Sequence, residues 1–182
     1  VAVMGASGRL GRLIVTAVMD APDVVLTAAL THANSRAIGE KIAGSAVEIR
    51  PLSDEALQGV DVIIDASLPS GLSSLLDLGG YVPIVSGTTG CDDLLLSKIE
   101  AATTSRALLH TANFTAGVTL LTRLAAMASV ALPEYKVVLS ETHHVHKKDA
   151  PSGTALALAR AIEEAREWEK RELPIESHRV GE

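Results

Sequence analysis

The stretch that most narrows the possible folds occupies residues 1–19. An apolar run at 1–4 is broken by Gly5-Ala6-Ser7-Gly8-Arg9-Leu10-Gly11, and apolar residues then recur at helical spacing at Leu10, Leu13, Ile14, Ala17 and Val18. Strand, glycine turn and helix in succession open a βαβ unit, which commits the next strand to lie parallel to the first. Each glycine has a separate use: Gly5 permits the tight turn, Gly8 lets backbone approach a ligand, and Gly11 lets the helix pack against the strand. Free N–H groups and the positive end of the helix dipole suit a pyrophosphate. The spacing G-x-x-G-x-x-G places Ser7 where the commoner dinucleotide fingerprint has its second glycine. A βα turn tightened by glycines and holding nothing is the plainer alternative.

The rhythm continues through 115. Residues 24–30 read as a strand, 31–52 as the least regular stretch, 60–65 as a strand, 71–78 as a helix, 82–86 as a strand, 92–103 as a helix and 107–111 as a strand. Aromatic residues are only 2% of the chain against 47% hydrophobic, so its cores are built from Ala, Val, Leu and Ile, as where helices cover a parallel sheet. The expected class is α/β: a Rossmann-type parallel sheet over 1–115 that binds a dinucleotide, then a second α+β domain over 116–182. In that second part the pattern predicts a long apolar helix at 117–132, a strand at 136–142, a helix at 154–170, and at 177–180 the start of a strand with no evident partner. The last of these suggests a domain incomplete at its C-terminus.

Ligands on such sheets lie across the carboxyl ends of the strands. Asp65-Ala66-Ser67, Gly87-Thr88-Thr89-Gly90 and Ala112-Asn113-Phe114 stand at three such ends and would line one crevice. The ribose carboxylate of the fingerprint stands about 20 residues beyond the turn; there this chain has Thr31 and His32. Nothing there repels a 2′-phosphate, and His32, Ser35 or Arg36 could contact one, so NADPH and NADH both stay open as cofactors.

With 16 Lys and Arg against 22 Asp and Glu the net charge is −6, which argues against nucleic acid or an anionic membrane as partner. The run of about 18 apolar residues that crosses a bilayer does not occur. One cysteine, Cys91, makes no internal disulfide, which fits a reducing, cytoplasmic setting. Against this acidic background, His143-His144-Val145-His146-Lys147-Lys148 is a focused positive patch. It leads through Asp149-Ala150-Pro151-Ser152-Gly153-Thr154 into a helix start, a combination suited to a small carboxylate. Desolvation and neighbouring cations are expected to bring Lys and His toward neutrality, so that either serves as a proton donor. Zinc held by His144, His146 and Glu141 or Asp149 is a rival reading, although the spacing matches neither H-E-x-x-H nor another hydrolase pattern. A solvated loop of charges is the other. The Walker lysine, the G-x-S-x-G elbow and the Tyr-x-x-x-Lys pair are missing.

Taken together these residues resemble the dihydrodipicolinate reductase (4-hydroxy-tetrahydrodipicolinate reductase) family of the diaminopimelate route to lysine. The glycine turn from Gly5 to Gly11 looks like that family's dinucleotide turn. Gly87-Thr88-Thr89-Gly90 and Ala112-Asn113-Phe114 look like its cofactor loops, and the run from Glu141 to Ala155 is similar to its signature. The resemblance implies reduction of 4-hydroxy-tetrahydrodipicolinate to tetrahydrodipicolinate by NADPH or NADH. It assigns acid/base chemistry to His143 and Lys147, and the substrate's carboxylates to His144, Gly153 and Thr154. The nucleotide falls to Gly5, Ala6, Ser7, Gly8, Arg9 and Leu10, to Gly87, Thr88 and Thr89, and to Thr111, Ala112, Asn113 and Phe114; Thr31 and His32 are placed beside its ribose by their spacing from the turn, not by the resemblance. It further implies a homotetramer built from the substrate domain. Two positions depart from the family pattern: Thr31-His32 replaces an acidic residue followed by Arg, and Asp65-Ala66-Ser67 replaces Asp-Phe-Thr. A non-catalytic nucleotide-binding or assembly module derived from the family is the alternative.

Overall fold

In the computed structural model the opening apolar run is β1 (Ala2–Met4), wholly buried. Its alternation divides the core in two: Ala2 and Met4 pack with Leu30, Ile63, Leu75 and Ile84, while Val3 packs with Val15, Val18 and Ile49. Residues one apart on a strand face opposite sides, so β1 is covered on both faces, as in a parallel sheet between helical layers. Residues 1–182 are described except 79, 148, 169–172 and 182. They divide into two compact units, Val1–Thr111 and Ala112–Glu182, ahead of the boundary expected at 115.

The first unit joins β1, β2 (Ala28–Thr31), β3 (Ile49–Pro51), β4 (Ile63–Asp65), β5 (Ile84–Ser86) and β6 (Leu108–His110) in the order β3-β2-β1-β4-β5-β6. Every pairing is parallel. Helices α1 (Arg9–Asp20), α2 (Pro69–Asp77) and α3 (Asp93–Ala102) form three of the crossovers. The order runs outward from β1 through β2 and then restarts at β4, so the crevice opens at the carboxyl ends of β1 and β4. Two expectations are corrected. The least regular stretch, 31–52, nonetheless holds a strand, since β3 pairs with β2; as an edge strand with only Ile49 buried it carries no alternation to read. The strand expected from 24 begins at Ala28, and Val25 is 75% exposed.

The second unit contains α4 (Ala116–Ala131), β7 (Leu139–His143), α5 (Gly153–Ala165) and β8 (Ile175–Arg179). The final strand does have a partner: β8 runs parallel to β7, with Glu141 opposite Ser177 and His143 opposite Arg179. Helix α5 stops at Ala165 rather than 170, since Glu167 adopts a positive φ of 56°; position 170 lies outside the described residues. Ala159, Ile162 and Leu173 form the core with Ala125, Leu139 and Trp168 around them. Arg166 closes the end of α4, donating to the carbonyl of Ser129 in its last turn (2.9 Å) and to that of Leu132 just beyond it (3.0 Å). Among the described residues no helix is long and apolar enough to cross a membrane.

Candidate functional site

The glycine turn is built as its spacing requires. Gly5 sits at φ +81°, and a Cβ there would lie 2.6 Å from the carbonyl oxygen of Ala66. Its N–H and that of Ala6 both donate to the Leu30 carbonyl, at 2.9 and 3.0 Å, which anchors the turn to β2. Gly8 precedes α1 with no side-chain cap, so no side chain competes for the N–H groups at that helix start. A cavity of about 260 Å³ opens beside the turn, lined by Gly5, Ser7, Gly8, Thr31, His32 and Ser67 among others. The Ser7 and Thr31 hydroxyls are 3.3 Å apart and Thr31 is buried, while His32 is exposed. Arg9 and Leu10 are exposed on the first turn of α1, and Ala6 is buried beneath it.

The sequence placed Asp65 at a strand end but did not show its partners. It is fully buried. Its Oδ1 accepts the Ser67 N–H (3.0 Å) and hydroxyl (2.5 Å), and its Oδ2 accepts the hydroxyls of Ser86 and Thr88, each at 2.7 Å. The Asp65 carbonyl takes the Gly87 N–H at 2.9 Å. One carboxylate thus ties the loop after β4 to the loop after β5, fixing Gly87 and Thr88, while Thr89 is exposed. Thr111 continues the same sheet edge, its N–H donating to Ser86 at 3.0 Å. His110 Nε2 stands 2.8 Å from the Thr88 carbonyl, which makes that nitrogen the protonated one. Cys91 lies 3.8 Å from the same imidazole. Burial, then the charges of Asp65 and Asp92, push its thiol up from the ordinary value, so it stays protonated and inert at neutral pH.

In the second unit, alternation along β7 turns Leu139, Glu141 and His143 to the inner face. Glu141 Oε1 accepts the Ser152 N–H (3.0 Å) and the Ser177 hydroxyl (2.9 Å), with Arg179 Nη2 at 3.5 Å. Its Oε2 lies 3.5 Å from His143 Nδ1. Burial opposes ionisation of Glu141, but the bonds from Ser152 and Ser177 and the neighbouring His143 outweigh it, holding the carboxyl down at about 2. Oε1 of the carboxylate is therefore engaged within the protein, and among the described residues no three His, Cys, Asp or Glu groups gather as the zinc reading requires.

The catalytic lysine expected from the sequence has a different neighbour from the one assumed. Lys147 Nζ meets both oxygens of Asp149 at 2.9 Å, so the nearest charge is an anion, not a cation. Burial raises the Asp149 carboxyl, and the Lys147 bond and the Asp149 backbone more than reverse this, leaving it below its ordinary value. Arg179 holds the loop from behind, donating Nε to the Lys147 carbonyl at 3.3 Å and Nη2 to that of Asp149. Sequence reasoning missed Arg179, because only the β7–β8 register brings it to this loop. Ser152 N-caps α5 by accepting the Ala155 N–H at 3.2 Å, leaving Gly153 and Thr154 on the first turn. Asn113 donates to the Thr154 hydroxyl at 3.3 Å and accepts the Thr115 N–H at 2.7 Å. Ala112 is half-buried and Phe114 is 50% exposed. His144 and His146 are exposed with ring centroids 6.1 Å apart; Lys148 lies outside the described residues.

Glu141 makes the fold acid-sensitive with a definite sign. A carboxyl at about 2 when folded and 4.5 otherwise contributes stability to the folded state. That contribution is fully present above the unfolded value and is lost as pH falls through the folded one. Thermal melts from about pH 5 to pH 2 are expected to fall in Tm, and Glu141→Gln to flatten that limb while lowering Tm at neutral pH. Parallel profiles for the two proteins would refute the assignment.

Comparison with known proteins places both units in one family. The family model described as dihydrodipicolinate reductase, N-terminus, matches residues 1–114, and its C-terminus counterpart matches 117–182. The 4-hydroxy-tetrahydrodipicolinate reductase of Chromobacterium violaceum is 39% identical over 175 residues, covering 91% of this chain and 65% of that protein. That of Neisseria meningitidis is also 39% identical, over 89% of this chain and 63% of its own. The chain therefore spans about two thirds of the length of these relatives, a little under in each case. Among solved structures, a dipicolinate-bound dihydrodipicolinate reductase from Paenisporosarcina is 28% identical with a TM-score of 0.67, over 98% of this chain and 77% of that one. An aspartate semialdehyde dehydrogenase from Vibrio cholerae, at 12% identity and TM-score 0.55 over 100% of this chain and 67% of its own, shares the fold alone.

Proposed function

Because this chain belongs to the dihydrodipicolinate reductase family, we propose that it acts in the NAD(P)H-dependent reduction of 4-hydroxy-tetrahydrodipicolinate to tetrahydrodipicolinate, with the nucleotide on the first unit and the dicarboxylate on the second. The observation that carries this reading is the run from Glu141 to Thr154, in which His143 ends β7 and Lys147 stands on the anchored loop that follows and leads into the N-terminus of α5. The similar Paenisporosarcina protein is described as bound to dipicolinate, a dicarboxylate, and cationic side chains beside a helix N-terminus are what such a ligand needs.

The turn at 5–11 fits a dinucleotide on the geometry of this chain: a Cβ at Gly5 or Gly11 would strike backbone, so only glycine leaves the surface that a pyrophosphate approaches. Bound NADPH or NADH supplies hydride. The residues of the chain do the rest. His144, the Gly153 N–H and the Thr154 hydroxyl hold the substrate's carboxylates, and Lys147 delivers the proton that completes reduction, with His143 assisting. Asp149 holds the Lys147 ammonium until an anionic substrate arrives to compete for it. Discrimination between the two nucleotides is weak, since Thr31 offers a hydroxyl where a carboxylate would exclude a 2′-phosphate. We extend the reading to a cytoplasmic homotetramer, which sedimentation of the protein tests.

The decisive assay follows nicotinamide absorbance as the chain meets freshly made product of the preceding synthase. Turnover is expected with both nucleotides; nucleotide binding without turnover would support a non-catalytic module instead. Lys147→Ala and His143→Ala are each expected to lower kcat about a hundredfold while nucleotide Kd moves less than about twofold. An unchanged kcat in either variant removes that residue from the mechanism.

A further inference from the structure

Glu141 and His143 pose a hydrogen-bonding problem that admits one solution. The side chain of Glu141 is 8% exposed, and one of its oxygens already has the Ser152 N–H, the Ser177 hydroxyl and Arg179 around it. The other, Oε2, is buried with no hydrogen-bond partner, and the same is true of His143 Nδ1. The two orphaned atoms face one another at 3.5 Å. Both sit on the inner face of β7, two residues apart, so the strand itself holds them together. Buried polar atoms are rarely left unpaired. A carboxylate oxygen only accepts, and an imidazole nitrogen donates only when it carries the proton. With the proton on Nε2, two lone pairs would confront each other away from water; with the proton on Nδ1, a contraction of a few tenths of an ångström makes a charge-assisted bond that satisfies both.

We infer that Glu141 is a positioning residue that fixes His143 as its Nδ1–H tautomer, so that Nε2 is the ring atom presented for proton transfer. The ring is oriented accordingly: Nδ1 is buried while the side chain as a whole keeps 34% of its exposure. The other charged groups around the pair reinforce it. Arg179 stands opposite His143 in the β7–β8 register and leans on Oε1 of the carboxylate, while Lys147 and Asp149 on the following loop engage each other. Proton transfer at His143 then alternates between Nε2–H and bare Nε2, with Nδ1–H retained in both states and Glu141 ionised throughout. The catalytic meaning of this tautomer rests on the reductase reading; the tautomer itself does not.

Long-range ¹H–¹⁵N correlation of the imidazole rings tests it on the full chain, with the His143 signals identified by their loss in His143→Gln. The neutral ring of the unsubstituted protein is expected to show Nδ1–H. Glu141→Gln is nearly isosteric, and its carbonyl oxygen is held by the donors on the Oε1 side, so its amide NH₂ must point at Nδ1 and turn that nitrogen into an acceptor. His143 should therefore switch to Nε2–H, with kcat falling by about tenfold or more. A role confined to stability moves Tm and leaves the tautomer alone. An Nε2–H ring in the unsubstituted protein overturns the inference without any variant, and so does an unswitched ring in Glu141→Gln. A protein that shows Nδ1–H but never turns over substrate would refute the reductase reading and leave the pairing standing.

Discussion

Gly11→Ala is expected to unfold the first unit or come close to it. An added Cβ would lie 2.0 Å from the Gly5 carbonyl oxygen, 2.7 Å from its carbon and 3.0 Å from the Ala6 Cα. All three are backbone atoms, so no side chain can swing aside. Gly5 cannot retreat either, because its own φ of +81° and the Ala66 carbonyl on its far side hold it in place. Forcing a methyl into a packed site commonly costs about 1–3 kcal/mol, and a double backbone clash belongs beyond that range, at about 4 kcal/mol or more. Whole domains are stable by only about 5–15 kcal/mol, so the variant should lose more than about 10 °C in Tm. Gly39 and Gly59 supply the control, since each has a positive φ with nothing within 4 Å of its added Cβ. Alanine there costs only backbone strain, about 1 kcal/mol. Melts of Gly11→Ala that overlay those of Gly39→Ala would mean that the turn is looser than its geometry indicates.

The same contrast marks how far sequence reading reaches. The glycine turn, the buried strands β1, β4 and β5 and the helices between them were legible because each is a local pattern: a period, a cap or a breaker. The edge strand β3 was not, since one buried residue in three makes no period. The partner of β8 was hidden for another reason. Parallel strands pair across a crossover, and nothing in residues 175–179 names the strand they will join. The sites divide in the same way. His143 and Lys147 stand out as charges in an acidic chain, and Glu141 is visible two residues before His143. The hold of Arg179 on the loop and the conversion of Glu141 from possible metal ligand to internal anchor depend on the register that sets Glu141 beside Ser177 and His143 beside Arg179. The pairing of Lys147 with Asp149 was open to inspection, two residues apart, but their mutual orientation was not.

Asp65 is the residue where that limit matters most, and its removal is the second large effect expected. The β4–β5 register sets Asp65 opposite Ser86, and the hydroxyls of Ser67, Ser86 and Thr88 converge on its two oxygens. In Asp65→Ala these donors stay in a site from which Asp65, Ser86 and Thr88 exclude water almost completely. Hydrogen bonds to a charged group contribute about 1.5–3 kcal/mol each, and buried polar atoms left unpaired cost about 1–3 kcal/mol. Some hydroxyls will turn to one another or to nearby carbonyls, so about 3–5 kcal/mol is the expected loss, against about 1–2 kcal/mol for Asp65→Asn, which keeps one acceptor oxygen. Urea titration of the two variants reads the difference. A second consequence separates this carboxylate from an ordinary core residue. The Gly87 N–H bond to the Asp65 carbonyl is backbone and survives the substitution, so the strand ends remain joined while the Ser67 and Thr88 hydroxyls lose the carboxylate and only the 3.1 Å contact from the Thr88 hydroxyl to the Ser67 carbonyl still links the two loops. The loop after β5 then becomes mobile in a protein that is still folded, and nucleotide affinity should fall more than about tenfold, or about 1.4 kcal/mol, in conditions where circular dichroism shows an intact sheet. Undiminished nucleotide binding by folded Asp65→Ala would show that the loops hold their shape without the carboxylate, and that its four bonds serve stability alone.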